Sequence, residues 1–116
     1  NFWIGTGNGI LVVNPATKKT SEIRAGGDSL MSVSSNLIYS LLEDRSGDIW
    51  IATSNGLNRF DPDENRIYHY FNDPESSNTL CDNYTISLCE DQEGNIWIGT
   101  NIGVNKCNRK DSIFTW

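Results

Sequence analysis

Apolar and polar residues alternate with a period of two through "NLIYSLLE" (36–43) and "NYTISLCE" (83–90), which places Leu37, Tyr39 and Leu41, and again Tyr84, Ile86 and Leu88, along one side of an extended chain. That period predicts a β-strand. "DIWIAT" (48–53) and "NIWIGT" (95–100) are β-branched and aromatic and apolar on both sides of the middle, the pattern of a strand buried on two faces. "GILVVN" (9–14), "GLNRFD" (56–61) and "GVNKCN" (103–108) form a third kind of strand. "TSEIR" (20–24), "RIYHYF" (66–71) and "SIFTW" (112–116) form a fourth, the most polar and variable, as suits an outer edge. No stretch carries the three-and-four spacing of an amphipathic helix, so the chain is expected to be all-β.

The turns between these strands carry their own chemistry. "EDRSGD" and "EDQEGN" join the first strand to the second. There Gly47 and Gly94 supply a positive φ for a type I turn followed by a bulge, and Asp44 and Asp91 are placed to accept hydrogen bonds from loop amides. "TGNGI", "TSNGL" and "TNIGV" join the second to the third. Asn-Gly suits a type I′ turn, but Ile102 tolerates positive φ badly, so one left-handed residue per turn is expected, at Gly9, Gly56 and Gly103.

The strands recur with a fixed interval. Trp3, Trp50 and Trp97 stand 47 residues apart, and residues 36–61 laid on 83–108 without gaps agree at twelve positions, among them Asn36, Glu43, Asp44, Gly47, Trp50, Thr53, Gly56 and Asn58. The opening segment joins the same frame through Ile4, Thr6, Asn8, Gly9 and Pro15. A four-stranded antiparallel unit that is apolar on both faces needs a neighbour on each, and stacking such sheets around an axis gives a β-propeller. The expected fold is therefore a partial β-propeller with a 47-residue repeat. Residues 1–24 form an incomplete blade, 36–71 a complete one and 83–116 a third, with 25–35 and 72–82 as the loops between them. Each tryptophan is expected to wedge between one blade and the next. The frame opens part-way through a unit, which predicts a piece of something longer.

The string N-x-I-x-S-L-x-E-D-x-x-G-x-I-W-I-G-T-x-x-G-(L/V)-x-(R/K), read across 36–59 and 83–106, resembles the two-component regulator propeller repeat. Ala52 stands where that repeat usually has glycine, and Cys107 where the preceding unit has the aromatic Phe60. The resemblance implies the periplasmic sensor region of a hybrid two-component regulator, of the kind abundant in gut bacteria that degrade polysaccharides. It also implies an oligosaccharide ligand, with kinase and DNA-binding parts elsewhere in the polypeptide.

Composition narrows the alternatives. Nine basic against fifteen acidic residues leave a net charge of −6 with no clustered Lys or Arg, which argues against a nucleic-acid partner. No apolar run is long enough to cross a bilayer, so membrane contact is expected only through the parent chain. Cys81, Cys89 and Cys107 share no metal-ligand spacing. Cys89 and Cys107 replace the apolar Leu42 and Phe60, and so are read as small buried core residues, the alternative being a disulfide.

Catalytic chemistry is sought and not found. Glu43–Asp44 and Glu90–Asp91 recur once per unit at a turn, whereas a catalytic pair belongs once to a site. Asp61, Asp63 and Asn65 begin like a calcium loop, but Arg66 occupies the place that demands glycine and Asn72 the place of the glutamate, so a polar hairpin is the better reading. His69, the lone histidine, sits on an edge strand between Tyr68 and Tyr70. No phosphate loop, nucleophile elbow or zinc pattern is present, so neither enzyme activity nor a cofactor is expected of this segment. "DRSGDIW" is spaced one residue too widely for the aspartate box of sialidases, and Asn83 of "NYT" is read as a blade position rather than a glycosylation acceptor.

In an antiparallel blade the long connections "AGGDSLMSVSSN" (25–36) and "NDPESSNTLCDN" (72–83) leave from the same face as the second-to-third-strand turns. Long irregular loops on a rigid scaffold commonly carry binding. Asp28, Ser29, Asn72, Asp73, Asn78 and Asp82 suit hydrogen bonds to sugar hydroxyls, and they suit plain solvent as well. Trp50 and Trp97 are assigned to the core rather than to sugar stacking. Two functions stay open: a ligand-sensing module, or a propeller serving protein interaction or a carbohydrate-active enzyme. Exposed blade faces also predict self-association.

Overall fold

A computed structural model describes every residue except Asp28, Ser112 and Trp116. Among the described residues eleven strands form three antiparallel sheets in chain order. The first sheet holds β1 (Phe2–Thr6), β2 (Gly9–Val13) and β3 (Thr20–Ile23). The second holds β4 (Ile38–Glu43), β5 (Ile49–Thr53), β6 (Gly56–Asp61) and β7 (Arg66–Tyr70). The third holds β8 (Thr85–Glu90), β9 (Ile96–Thr100), β10 (Val104–Asn108) and β11 (Ile113–Thr115). No helix is present among the described residues. The inner edge strands β4 and β8 lie side by side, as do β1 and β4, so the sheets stack as the blades of a propeller.

The core consists of two layers, one in each joint between sheets. Alternation along β5 explains why: Ile51 packs with Ile10, Ile38 and Ile67 against the first sheet, while its neighbour Trp50 points the other way onto Ile96, Ile98 and Phe114 of the third. Burying one such side chain fully stabilises the fold by about 1.5–3 kcal/mol. Trp3 repeats the role of Trp50 one unit earlier, its ring centroid 4.8 Å from that of Phe60 on the next sheet. Both tryptophans thus wedge between blades as the sequence predicts.

Trp97 does not. It is 40% exposed where Trp50 is 1% exposed, and Cys89, its partner in the β8–β9 register, is exposed as well. Both lie on the side of the third sheet that points away from the second. Recurrence places a residue in the unit, but burial needs a sheet on that side. Cys107 faces inward and is buried, which pushes its thiol up to about 12 despite the nearby Arg59 charge. All three cysteines are free thiols.

The first-to-second-strand turns follow expectation. Gly47 (φ 94°) and Gly94 (φ 84°) are left-handed, and Gly47 and Gly94 donate their N–H to the carbonyls of Asp44 and Asp91 at 3.0 and 3.2 Å. Gly9 (φ 95°) and Gly56 (φ 110°) are the expected left-handed residues of their turns. Gly103 is not among the left-handed glycines. With Ile102 beside it, that turn closes instead on the Thr100 hydroxyl, which accepts from the amides of Ile102 (3.3 Å) and Gly103 (3.0 Å) and donates to the Gly103 carbonyl (2.9 Å).

Candidate functional site on the loop-bearing end

The two long loops are built alike. Asn36 Oδ1 accepts from the Ala25 amide at 2.7 Å, and Asn83 Oδ1 from the Asn72 amide at 2.6 Å, which pins the two ends of each loop together. A buried asparagine in the third strand of the following sheet then grips the loop's middle: Asn58 Oδ1 accepts from the Ser34 amide (2.9 Å) and Asn105 Oδ1 from the Cys81 amide (2.8 Å). Buried amides are held only when their polar atoms are paired. The loop then runs along the outer strand of that next sheet, where the Ile67 and Phe114 amides donate to the carbonyls of Leu30 (2.8 Å) and Asn78 (3.2 Å). Val33 and Leu80, both buried, plug the loops into the joints. Each loop is thus a strap that fastens its own sheet to its successor.

The straps orient the polar residues proposed for binding. Ser29 Oγ accepts from the Met31 amide at 3.0 Å. Asn72 Nδ2 donates to the Leu80 carbonyl at 2.6 Å, Asp73 Oδ1 accepts from the Glu75 amide at 3.0 Å, and Asp82 Oδ1 accepts from the Tyr84 amide at 3.2 Å. Asn78 offers its main chain, its amide donating to Ser76 Oγ at 3.3 Å. Asn72, Asp73, Asn78 and Asp82 share one loop and Ser29 lies on the other, and no hydrogen bond among the described residues joins any of the five to another. Asp28 lies outside the described residues. Three carboxylate or hydroxyl oxygens, those of Ser29, Asp73 and Asp82, are engaged in short turns, which rigidifies the loop surface.

A feature that sequence reasoning missed lies on the inner edge. Tyr39 and Tyr84, each 39% exposed, approach with ring centroids 5.4 Å apart and hydroxyls hydrogen-bonded to each other. The bond to Tyr84 raises the Tyr39 phenol above its ordinary value. Tyr39 sits at a register shift in β4 and Ile86 at the same unit position in β8. A bulge re-aims a side chain, here out of the joint and toward the inner edge. Alternation alone assigns these residues to one face and cannot show the bulge.

The opposite end is locked by charge. Asp44 Oδ1 accepts from the Ser46 amide (2.9 Å), the Ser46 hydroxyl (2.6 Å) and the Asp48 amide (3.1 Å), and Oδ2 accepts from the Trp50 indole N–H (2.8 Å). Burial raises the Asp44 carboxyl, but these bonds and the Arg109 guanidinium at 3.4 Å outweigh it and hold the group below the usual carboxylate range. Asp91 repeats the arrangement with Trp97 Nε1 at 2.9 Å, and that bond is the largest cause holding its carboxyl at about 2. Arg45 reaches across to the carbonyls of Gln92 (2.8 Å) and Asp91 (2.9 Å) on the neighbouring blade. The recurring carboxylates are therefore turn and joint acceptors. Asp61 Oδ1 likewise accepts from the amides of Asp63 (2.9 Å) and Glu64 (3.3 Å), as a polar hairpin requires. His69 is exposed, its Nε2 2.7 Å from the Ser32 carbonyl of the strap.

Residues 32–55 and 79–101 match the model of the two component regulator propeller family. Two segments of the chain thus match the two-component regulator propeller repeat. Both matched segments start within a strap and run through the Asp–Gly turn and the tryptophan strand, the parts whose geometry recurs. Among solved structures, the chain resembles the extracellular domain assigned to the hybrid two component system BT3049 of B. thetaiotaomicron, at 20% identity and a TM-score of 0.58, over 97% of this chain and 21% of that one. It also resembles the extracellular domain of BT4673 from B. thetaiotaomicron, described both as a one component and as a hybrid two component system. There the identity is 20% and the TM-score 0.52, over 97% of this chain and 23% of that one. The chain thus spans less than a quarter of either domain. No curated protein matches the sequence.

Proposed function

We propose that the chain is part of the periplasmic sensor region of a hybrid two-component regulator and that its loop-bearing end contributes to recognising an oligosaccharide. The observation that carries this reading is the presence of regulator propeller repeats whose straps hold polar side chains in fixed positions over a rigid scaffold. Ser29, Asn72, Asp73, Asn78 and Asp82, with Asp28, would offer both donors and acceptors to sugar hydroxyls. Because each strap belongs to one blade and grips the next, a ligand held across straps would bias how the blades sit together, which is the differential binding a signal needs. Phosphoryl transfer and membrane anchoring would belong to other parts of the longer polypeptide.

A thermal-shift screen of the chain against neutral and acidic oligosaccharides tests this. A ligand at about a hundred times its Kd stabilises the folded state by about 2.7 kcal/mol, enough to raise Tm by several degrees. Asn72→Ala with Asp82→Ala should abolish the shift. If every sugar leaves Tm unchanged while a protein partner is captured with measurable affinity, the scaffold function replaces the sensory one.

A further inference from the structure

Tyr39 and Tyr84 come from different sheets, and their contact closes the second joint on its inner edge as the strap closes it on the outside. Tyr39 stands at the bulge of β4. Tyr84 directly precedes β8, its amide donating to Asp82 Oδ1 at 3.2 Å and its carbonyl accepting from the Asn101 amide at 3.0 Å. Both rings thus rest on fixed backbone, and their mutual geometry is restrictive. Two phenols meeting hydroxyl to hydroxyl in line would set their centroids about 8 Å apart. Here the hydroxyls are hydrogen-bonded while the centroids are only 5.4 Å apart, with the planes at 40°. The rings therefore form a V that is narrowest at the hydroxyl ends, and the ortho carbons beside the hydroxyls face each other across the gap. The other two tyrosines have no such partner. The Tyr68 hydroxyl donates to Glu64, and its ring lies against Arg59 and Arg66 at 4.8 and 4.6 Å. Tyr70 is held between Trp50 and Phe114, with its hydroxyl accepting from Arg59 at 3.0 Å.

A phenol that loses one electron and its proton becomes a phenoxyl radical, whose unpaired electron is shared with the ortho carbons. Two such radicals couple only where those carbons can meet. We propose that Tyr39 and Tyr84 form a modification site at which one-electron oxidation joins the two rings through an ortho–ortho carbon–carbon bond. The oxidant is of the peroxidase class, with hydrogen peroxide as terminal electron acceptor. Each phenol gives up one electron and one proton, the two radicals pair to make the new bond, and each ortho hydrogen then moves to the oxygen of its own ring, which restores both phenols. The chain loses two hydrogen atoms in all, and one hydrogen peroxide is reduced to two waters. In the product the hydroxyls flank the new bond within hydrogen-bond reach of each other, the relation they already hold. The bond ties β4 to the start of β8 and so fixes the second joint on the edge opposite its strap.

The experiment treats the chain, carrying Cys89→Ser to remove an exposed thiol, with a haem peroxidase and an equimolar amount of hydrogen peroxide. Tryptic peptides 25–45 and 67–106, which contain Tyr39 and Tyr84, should be recovered as one species with biphenol fluorescence, lighter than their sum by two hydrogen atoms. Tyr39→Phe and Tyr84→Phe each remove one exposed phenol and should each lower the yield by about tenfold or more, whereas Tyr68→Phe and Tyr70→Phe should keep it. The linked chain should melt several degrees higher, because the bond limits what the unfolded chain can explore. Product retained in Tyr39→Phe or Tyr84→Phe, product formed only between two chains, or equal yield from chain unfolded in urea overturns the site. So does the absence of product while free tyrosine couples in the same mixture. An unchanged Tm of the linked chain overturns its role in fixing the joint.

Discussion

At the residue scale the Asp–Trp pair carries the most weight. Asp44 is buried and receives four hydrogen bonds, one of them from a fully buried indole. Asp44→Ala leaves that N–H and two turn amides without their acceptor, and should cost about 2–3 kcal/mol in urea unfolding, with Asp44→Asn costing less. The pair also sets an acid limit. Folded Asp44 and Asp91 both lie below the unfolded value of about 3.9, so their contribution is complete above about pH 4 and is lost as pH falls toward about 2. Unfolding midpoints measured down that range should fall for wild type and change little for the Asp44→Ala, Asp91→Ala variant. The acceptor role of both aspartates was legible from the turn sequence, because Asp three places before a turn glycine has few other uses. The exposure of Trp97 and Cys89 was not, since identity with Trp50 and Leu42 fixes which way a side chain points and not what meets it there.

At the element scale, strands and turns were readable because period-two patterning, turn glycines and a 47-residue frame agree with one another. The straps were not. Their sequences look like solvated loops, and only the amides recurring at the same unit places, Asn36/Asn83 at the strap ends and the buried Asn58/Asn105 in the third strands, signalled that something polar must be paired there. β7 and β11 are each fastened by a strap from the preceding sheet, and among the described residues β3 has no such fastening. Amides of Thr20–Ile23 should therefore exchange with deuterium faster than those of Arg66–Tyr70. Asn58→Ala should raise exchange at Val33 and Ser34 toward the β3 rate while leaving the second strap, held by Asn105, protected. Equal exchange of both straps in that variant would mean that the asparagine grip is not what holds them.

At the scale of the molecule, the two end sheets present faces that no other sheet covers among the described residues. Phe2, Ile4 and Val13 stand on one, at the repeat positions of Ile49, Ile51 and Phe60; Trp97, Val104 and Ile113 stand exposed on the other. We propose that the chain self-associates through these faces, with Trp97 of one copy entering the position against Phe2 and Ile4 that Trp50 takes against Ile96 and Ile98. Such a contact is heterologous and gives rings or open stacks rather than two-fold dimers. Light scattering should show mass rising with concentration, and Trp97→Asp should hold the chain monomeric; a wild type that stays monomeric at every concentration would rule the contact out. The two faces are tongue and groove, and they are unlike. Duplicating one period of such a sequence inserts a unit that already mates with whatever lies on either side, so a protein of this design can lengthen by copying alone, with no joint to be invented anew.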